Sequence, residues 1–413
     1  MNKLIILILV SLPSWCNAQW NGIYFHSDEE NKIAVINKDT LITITAWNGR
    51  IHRSTDGGQS WSFYQTPFLT SWFLDVHFPT QSIGYACGGT AFGTHTNVIV
   101  KTTDAGLTWD SVTSNAYDGF SFHKIHFLNA DTGFVAQEAG NMLYTVDGGL
   151  NFSVRPTPGT IFDMVSKPDK TLFFSIKTKL NSTTEIYSIV RSTDLGSTWS
   201  AVYADTFANA DGINNRIINS LQFVNNTIGY ACGGNGVFLK TTDGGASWSK
   251  SLIHPYTNLQ SLHFPSPNRG YMNIAGGIYT TVDGGTTWTV QAVNPMTIIR
   301  HIQMSNDSVG FALGSQGVYK TTNGGMTTGL NERSNDIPFL LYPNPAHDVL
   351  YMEWKNEPPL KTLELIDLSG KNILTMQSAD ESWQLNLSSV REGMYFIRVS
   401  SNGTTITRKV IKE

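Results

Sequence analysis

Thr241-Thr-Asp-Gly-Gly-Ala-Ser-Trp248 is the stretch whose reading decides the fold, because six near-copies of it stand elsewhere in the chain. They are Ser54-Thr-Asp-Gly-Gly-Gln-Ser-Trp61, Thr102-Thr-Asp-Ala-Gly-Leu-Thr-Trp109, Thr145-Val-Asp-Gly-Gly-Leu-Asn-Phe152, Ser192-Thr-Asp-Leu-Gly-Ser-Thr-Trp199, Thr281-Val-Asp-Gly-Gly-Thr-Thr-Trp288 and a decayed Thr321-Thr-Asn-Gly-Gly-Met-Thr-Thr328. Their third positions, Asp56, Asp104, Asp147, Asp194, Asp243, Asp283 and Asn323, lie 48, 43, 47, 49, 40 and 40 residues apart. Such a period, with β-prone sequence between the boxes, predicts an all-β chain built around a propeller.

Each box sits between two β-prone runs, such as Val237–Thr242 and Trp248–Lys250, so it predicts a hairpin turn. The acid is expected to accept backbone N–H groups two or three residues on and so close the turn. Every copy keeps a glycine two places after that position, from Gly58 to Gly325, which suits a turn needing φ > 0. The aromatic residue at the eighth position can fold over its own turn and bury apolar area. The boxes are therefore read as structural. Each brings one carboxylate and no second ligand at useful spacing, so no metal is expected.

The text between boxes repeats as well: Asp75-Val-His-Phe78 with Gly84-Tyr-Ala-Cys87 matches Ser220-Leu-Gln-Phe223 with Gly229-Tyr-Ala-Cys232. Each unit reads strand, short turn, strand, loop, strand, box, strand. Seven units predict a seven-bladed β-propeller over residues 19–328. The seventh box lacks its aromatic residue and a following strand, so the segment from Trp20 should complete the last blade and close the ring. Cys87 and Cys232 occupy equivalent positions three blades apart and are expected to be buried free thiols.

The ends carry other signals. Residues 1–18 run Met1-Asn-Lys3, an apolar stretch Leu4–Val10, and a small-residue exit at Cys16-Asn-Ala18, which predicts a secretory signal peptide. No later apolar run is long enough to cross a membrane. Residues 329–336 are a polar linker, and 337–413 alternate apolar residues with glycine turns, predicting a small Ig-like β-sandwich. A net charge of −4 with 15% charged residues argues against a nucleic-acid partner, which needs a basic face. No cofactor motif is present.

The boxes resemble the Asp-box, or BNR, repeat of the sialidase superfamily. The full unit is similar to the photosystem II stability-factor-like repeat over about residues 20–328. That resemblance implies structural boxes and does not imply an activity. The C-terminal segment, from Leu341-Tyr-Pro-Asn-Pro345 through Gly393-Met-Tyr395 to the basic tail Thr407-Arg-Lys409, resembles the type A C-terminal sorting domain of the type IX secretion system of Bacteroidota. It implies passage through the periplasm to the outer-membrane surface or the medium, with the secretion machinery as partner.

Two regions are candidates for function. Loops joining second to third and fourth to first strands should share the face opposite the boxes, and several are long and aromatic. They hold Phe68, Trp72 and Phe73 in Tyr64–Leu74, Phe92 and His95 in Gly88–Asn97, Tyr117, Phe120 and Phe122 in Ser114–His123, and Tyr203 and Phe207 in Ala201–Arg216. Long loops on a rigid scaffold are where binding usually sits. Lys32, Asp75, Lys124, Asp163, Arg300 and His301 should ring the channel mouth on that face. His77, His126 and His263 fall in one slot of blades two, three and six, and a metal shared between non-adjacent blades is not expected.

The preferred reading is a surface module binding glycan or protein through Trp72, Phe92, His95, Tyr117, Phe120, Lys124, Arg300 and His301. The alternatives are a glycoside hydrolase using Asp75 and Asp163, and an assembly scaffold. Sialidase chemistry is disfavoured: residues 19–60 hold only Arg50 and Arg53 and lack the Phe/Tyr-Arg-Ile-Pro motif.

Overall fold

The computed structural model describes residues 20–24, 30–69, 71–90, 97–112, 121–137, 140–181, 184–208, 216–253, 257–274, 277–292, 298–325, 339–343, 345–354, 361–367, 370–378, 380, 382–401 and 404–413. The proposed signal peptide and linker lie outside these residues.

Seven antiparallel four-stranded sheets occupy the first part of the chain. In blade 2, for example, Ser71–His77 is innermost, followed outward by Gly84–Thr90, Asn97–Thr102 and Asp110–Ser111. The innermost strands are Glu30–Val35, Ser71–His77, Phe122–Phe127, Thr160–Ser166, Ile218–Phe223, Leu262–His263 and Ile299–Met304. Each neighbours the next, and the last neighbours the first, so the sheets close into a ring. Closure is as expected from the defective seventh box: Asn21–Tyr24 pairs antiparallel with Gly317–Thr321 and supplies the outer strand of blade 7. Beside it Trp20 is buried and donates to Gln291 Oε1 at 2.8 Å.

Alternating strand residues fill the spaces between blades. One cluster joins Ile42, Ile44 and Ile51 of blade 1 to Phe73, Val76, Ala86, Val98 and Val100 of blade 2. Cys87 and Cys232 lie fully buried in such clusters as free thiols.

The boxes form hairpin turns with one addition to the expected bonding. Ser54 Oγ donates to Asp56 Oδ1 (2.8 Å) and accepts the Gly58 N–H (2.8 Å). Asp56 Oδ1 accepts the Ser60 N–H at 2.9 Å, four residues on, a bond added in other boxes to the expected one, since Asp194 and Asp283 also accept the N–H three residues on. The carboxylate thus spans the whole turn, while the hydroxyl two residues earlier fills its centre. Gly58 has φ +89, and a side chain there would collide with Ile23, so glycine is required on two counts. Trp61 folds back to donate its indole N–H to the Gly58 carbonyl at 3.0 Å.

Residues Thr327–Glu413 form a second compact unit. Two antiparallel sheets, one of Phe339–Tyr342, Val349–Trp354 and Ser382–Asn386, the other of Asn372–Ser378, Lys361–Asp367, Gly393–Ser401 and Thr404–Lys412, share one core. Leu350, Met352, Trp383 and Leu385 meet Leu363, Leu365, Ile397, Val399 and Val410 there. No helix among the described residues is long and apolar enough to cross a membrane.

Candidate functional site

The innermost strands line a channel of about 660 Å³. Six of the seven carry a register shift one residue before the expected ring position, as between Phe73 and Asp75, Ile161 and Asp163, or Ile299 and His301. A bulge re-aims the side chains beside it. Here it aims them at the next blade.

The result is tiers of inter-blade latches. At the bulge, Asn31 donates to the Phe73 carbonyl (2.7 Å), Asn219 to the Leu259 carbonyl (2.8 Å), and Arg300 to the Glu30 carbonyl (3.3 Å), while His123 Nε2 meets the Ile161 carbonyl (2.6 Å). One residue on, Asp75 Oδ2 accepts the Ile125 N–H (3.0 Å), Asp163 Oδ2 the Leu221 N–H (2.7 Å), and Ser261 Oγ the Ile302 N–H (3.1 Å). Two further on, His77 Nδ1 accepts the Phe127 N–H and His263 Nδ1 the Met304 N–H, both at 3.2 Å.

The channel charges are consumed in the same way. Lys32 pairs with Asp75, and Lys124 with Asp163 at 3.3 Å. Asp75 is only 2% exposed, and burial alone would raise its pKa; Lys32 and Lys124 outweigh that and hold it at about 2. Burial works against Lys124 too, yet Asp163 and Asp75 raise its pKa. Burial, aided by Lys32 and Lys124, pushes His301 well below the ordinary imidazole value. Asp75 and Asp163, the two carboxylates expected as catalytic candidates, thus each bond to a lysine and to an amide of another blade, and Lys124 and Arg300 also bond across blade boundaries.

The histidines likewise bond between blades. His77 and His126 stand in adjacent blades with ring centroids 4.6 Å apart. His126 Nε2 is bonded to Ser166 Oγ (2.8 Å) and His77 Nδ1 to an amide, so both imidazoles serve latches.

On the face opposite the boxes, Trp72 begins the inner strand of blade 2. Its partner is a residue the sequence reading passed over: Trp47, on the second-to-third hairpin of blade 1, meets it edge to face with centroids 4.4 Å apart. The hairpin turns at Asn48 (φ 70) and Gly49 (φ 64), the Asn-Gly pair that favours such turns. Gly49 N–H donates to the Ser71 carbonyl (3.2 Å), and the Gly49 carbonyl accepts from the Thr66 hydroxyl (2.8 Å). A Cβ on Gly49 would lie 2.1 Å from the Phe68 carbonyl oxygen, so glycine alone permits this docking. Trp47 is 44% exposed and nearby Leu69 65%. The indole nitrogen of Trp72 has no hydrogen-bond partner among the described residues.

Other expected loop residues fall elsewhere. Phe73 and Phe122 are in the core, and Tyr203 and Phe207 belong to the nine-residue strand Ser200–Ala208, not to a loop. Phe92, His95, Tyr117 and Phe120 lie outside the described residues.

Residues 55–216 and 187–331 match the family model described as photosynthesis system II assembly factor YCF48, together well over half of the chain. Residues 340–413 match the secretion system C-terminal sorting domain. No curated protein matches the chain. Among solved structures, YCF48 bound to D1 peptide is similar at TM-score 0.57 and 16% identity over 74% of this chain and 97% of that one. YCF48 from Cyanidioschyzon merolae gives 0.57 and 15% over 74% and 98%. The extracellular domain of the putative one component system BT4673 from B. thetaiotaomicron gives 0.56 and 11% over 97% and 60%. These likenesses establish the propeller fold.

Proposed function

Because the chain belongs to the family of photosynthesis system II assembly factor YCF48 and ends in a sorting domain that implies export, we propose that it is a surface or secreted propeller that holds a ligand on the face opposite its boxes. In this reading residues 1–18 are a signal peptide, 19–328 the propeller, 329–336 a linker, and 337–413 the part that engages the type IX machinery.

The observation that carries the proposal is the Trp47–Trp72 pair. Indole surface left in water forgoes roughly 25 cal/mol per Å² of burial, yet a glycine turn anchored by Ser71 and Thr66 holds Trp47 outward. A ligand accounts for that arrangement. The YCF48 structure with D1 peptide supports the idea that this scaffold carries ligands. The fastening of Asp75 and Asp163 supports binding over hydrolysis.

The test is retention of a polysaccharide panel and of cell-surface proteins by the immobilised full chain, scored also for product release. Retention without product, lost in both W47A and W72A at unchanged melting temperature, is the expected result. Retention that survives both substitutions would remove this face from consideration, and product release would make the protein an enzyme.

A further inference from the structure

We infer that the Trp47–Trp72 site takes an uncharged saccharide. This inference rests on the proposed binding role of the face and narrows it to a ligand class.

Three features argue for that chemistry. The first is shape: two indoles at an interplanar angle of 69°, one of them on an exposed hairpin, offer π faces in two directions rather than one greasy groove. The electron-rich face of an aromatic ring attracts polarised C–H groups, and a pyranose presents a row of axial C–H bonds on each face.

The second is charge. The cations around the channel mouth and on this hairpin are already engaged. Lys32 and Lys124 hold Asp75 and Asp163, Arg300 holds the Glu30 carbonyl, and Arg50 donates to Gln65 Oε1 with its guanidinium 4.7 Å over the Phe63 ring. Among the described residues, a sugar acid or an acidic peptide would meet lysines already paired with carboxylates and arginines already holding neutral acceptors.

The third is the backbone. Extended peptides are commonly held by unpaired main-chain groups at a sheet edge. At this site those groups are taken: Gly49 N–H by Ser71, the Gly49 carbonyl by Thr66, the Phe68 carbonyl by the Ser71 N–H, and the Phe73 carbonyl by Asn31. What remains are indole faces and a side-chain amide. The Asn48 oxygen is turned inward to the Arg50 N–H, which leaves its amide NH₂ as a donor for a hydroxyl. That set suits hydroxyl groups on an apolar ring.

The experiment is affinity electrophoresis of the full chain through native gels cast with neutral polysaccharides (mannan, laminarin, xylan, hydroxyethylcellulose) or acidic ones (alginate, polygalacturonate). Tryptophan emission is titrated in parallel with the matching oligosaccharides and with a random peptide library. The expected result is retardation by at least one neutral polymer with a blue-shifted emission. W47A and W72A should weaken it at least tenfold, and W47F should recover part of it. Trp47 lies outside the core clusters, so W47A and W47F should melt like wild type; they keep the test readable even if W72A unfolds. Retardation by acidic polymers alone, or peptide binding that depends on Trp47, would overturn the saccharide inference while leaving the binding face intact. Binding of nothing, or binding indifferent to both tryptophans, would overturn both.

Discussion

Lys320 Nζ donates to the carbonyl oxygen of Gly57, 2.9 Å away and 263 residues earlier in the chain. The same clamp recurs around the ring: Arg53 to Ala105, Lys101 to Gly148, Arg155 to Leu195 and Lys240 to Gly284. A cation on an outer strand of one blade caps the box turn of the next, and the last blade caps the first. Hydrogen bonds to charged groups contribute about 1.5–3 kcal/mol when buried, less where water competes. K320M should therefore lower unfolding free energy by about 1–2 kcal/mol, and K101M by a similar amount. Chemical denaturation of both would check this; unchanged stability in both would mean that the clamps are ornaments of the surface.

Asp75 gives a second prediction. D75N leaves Lys32 and Lys124 beside a neutral amide and weakens the hold on Ile125. Removing one partner of a buried pair costs about 3 kcal/mol or more. The expected phenotype is a lower melting temperature with ligand retention intact at temperatures where the variant is folded. A variant as stable as wild type would release Asp75 from its structural role.

Acid should loosen the ring through its histidines. Burial lowers both His77 and His263 from 6.5 to about 4, and each uses Nδ1 as an acceptor, which protonation would abolish. Between pH 6.5 and 4 the unfolded chain binds more protons at these sites than the folded one. Stability therefore falls as pH drops through that window and levels off below it. His126 and His301 shift in the same direction and add to the slope. The loss from Asp75 comes lower, between 3.8 and about 2. Blades 5 and 7 do the same job with glutamine: Gln222 Oε1 accepts the Phe264 N–H and Gln303 Oε1 the Val35 N–H. The double variant H77Q/H263Q should thus keep the latches and flatten the slope. Urea unfolding at several pH values would show it, and a wild-type slope in the double variant would contradict the assignment.

The sorting segment is tested in cells. A chain ending at residue 336 keeps the propeller and loses both sheets of the second unit. Expressed in a host with type IX secretion, it should accumulate in the periplasm, as fractionation and protease shaving of whole cells would reveal. Normal surface display would show that 337–413 is dispensable for export.

The boxes could be read from sequence because their bonds close within eight residues: Ser54, Asp56, Gly58, Ser60 and Trp61 complete one another locally. Blade order and the closing N-terminal strand followed from repeat and remainder. The latches were hidden because Asp75 and Ile125, or His77 and Phe127, lie fifty residues apart and meet only across a blade boundary. Charged residues recurring at one slot looked like a binding ring for the same reason that they make good fasteners: each repeat presents that slot to its neighbour. Trp47 was missed because its partner is 25 residues on, although Asn48-Gly49 directly after it marks a tight hairpin with the indole at its shoulder.

That hairpin supplies the last prediction. Gly49 fixes where Trp47 stands, since its left-handed backbone and the 2.1 Å approach of the Phe68 carbonyl leave no room for a side chain. G49A should force the turn away from Thr66 and Ser71, part the two indoles and weaken ligand retention about as much as W47A, though both tryptophans remain. Coupling between the indole transitions in circular dichroism reports their contact directly. Loss of that signal together with retention is the expected outcome, with the remaining blades still folding cooperatively. If the signal disappears and retention stays, the ligand does not need the pair as a unit. If both stay, the turn has absorbed the methyl group and Gly49 is not what positions Trp47.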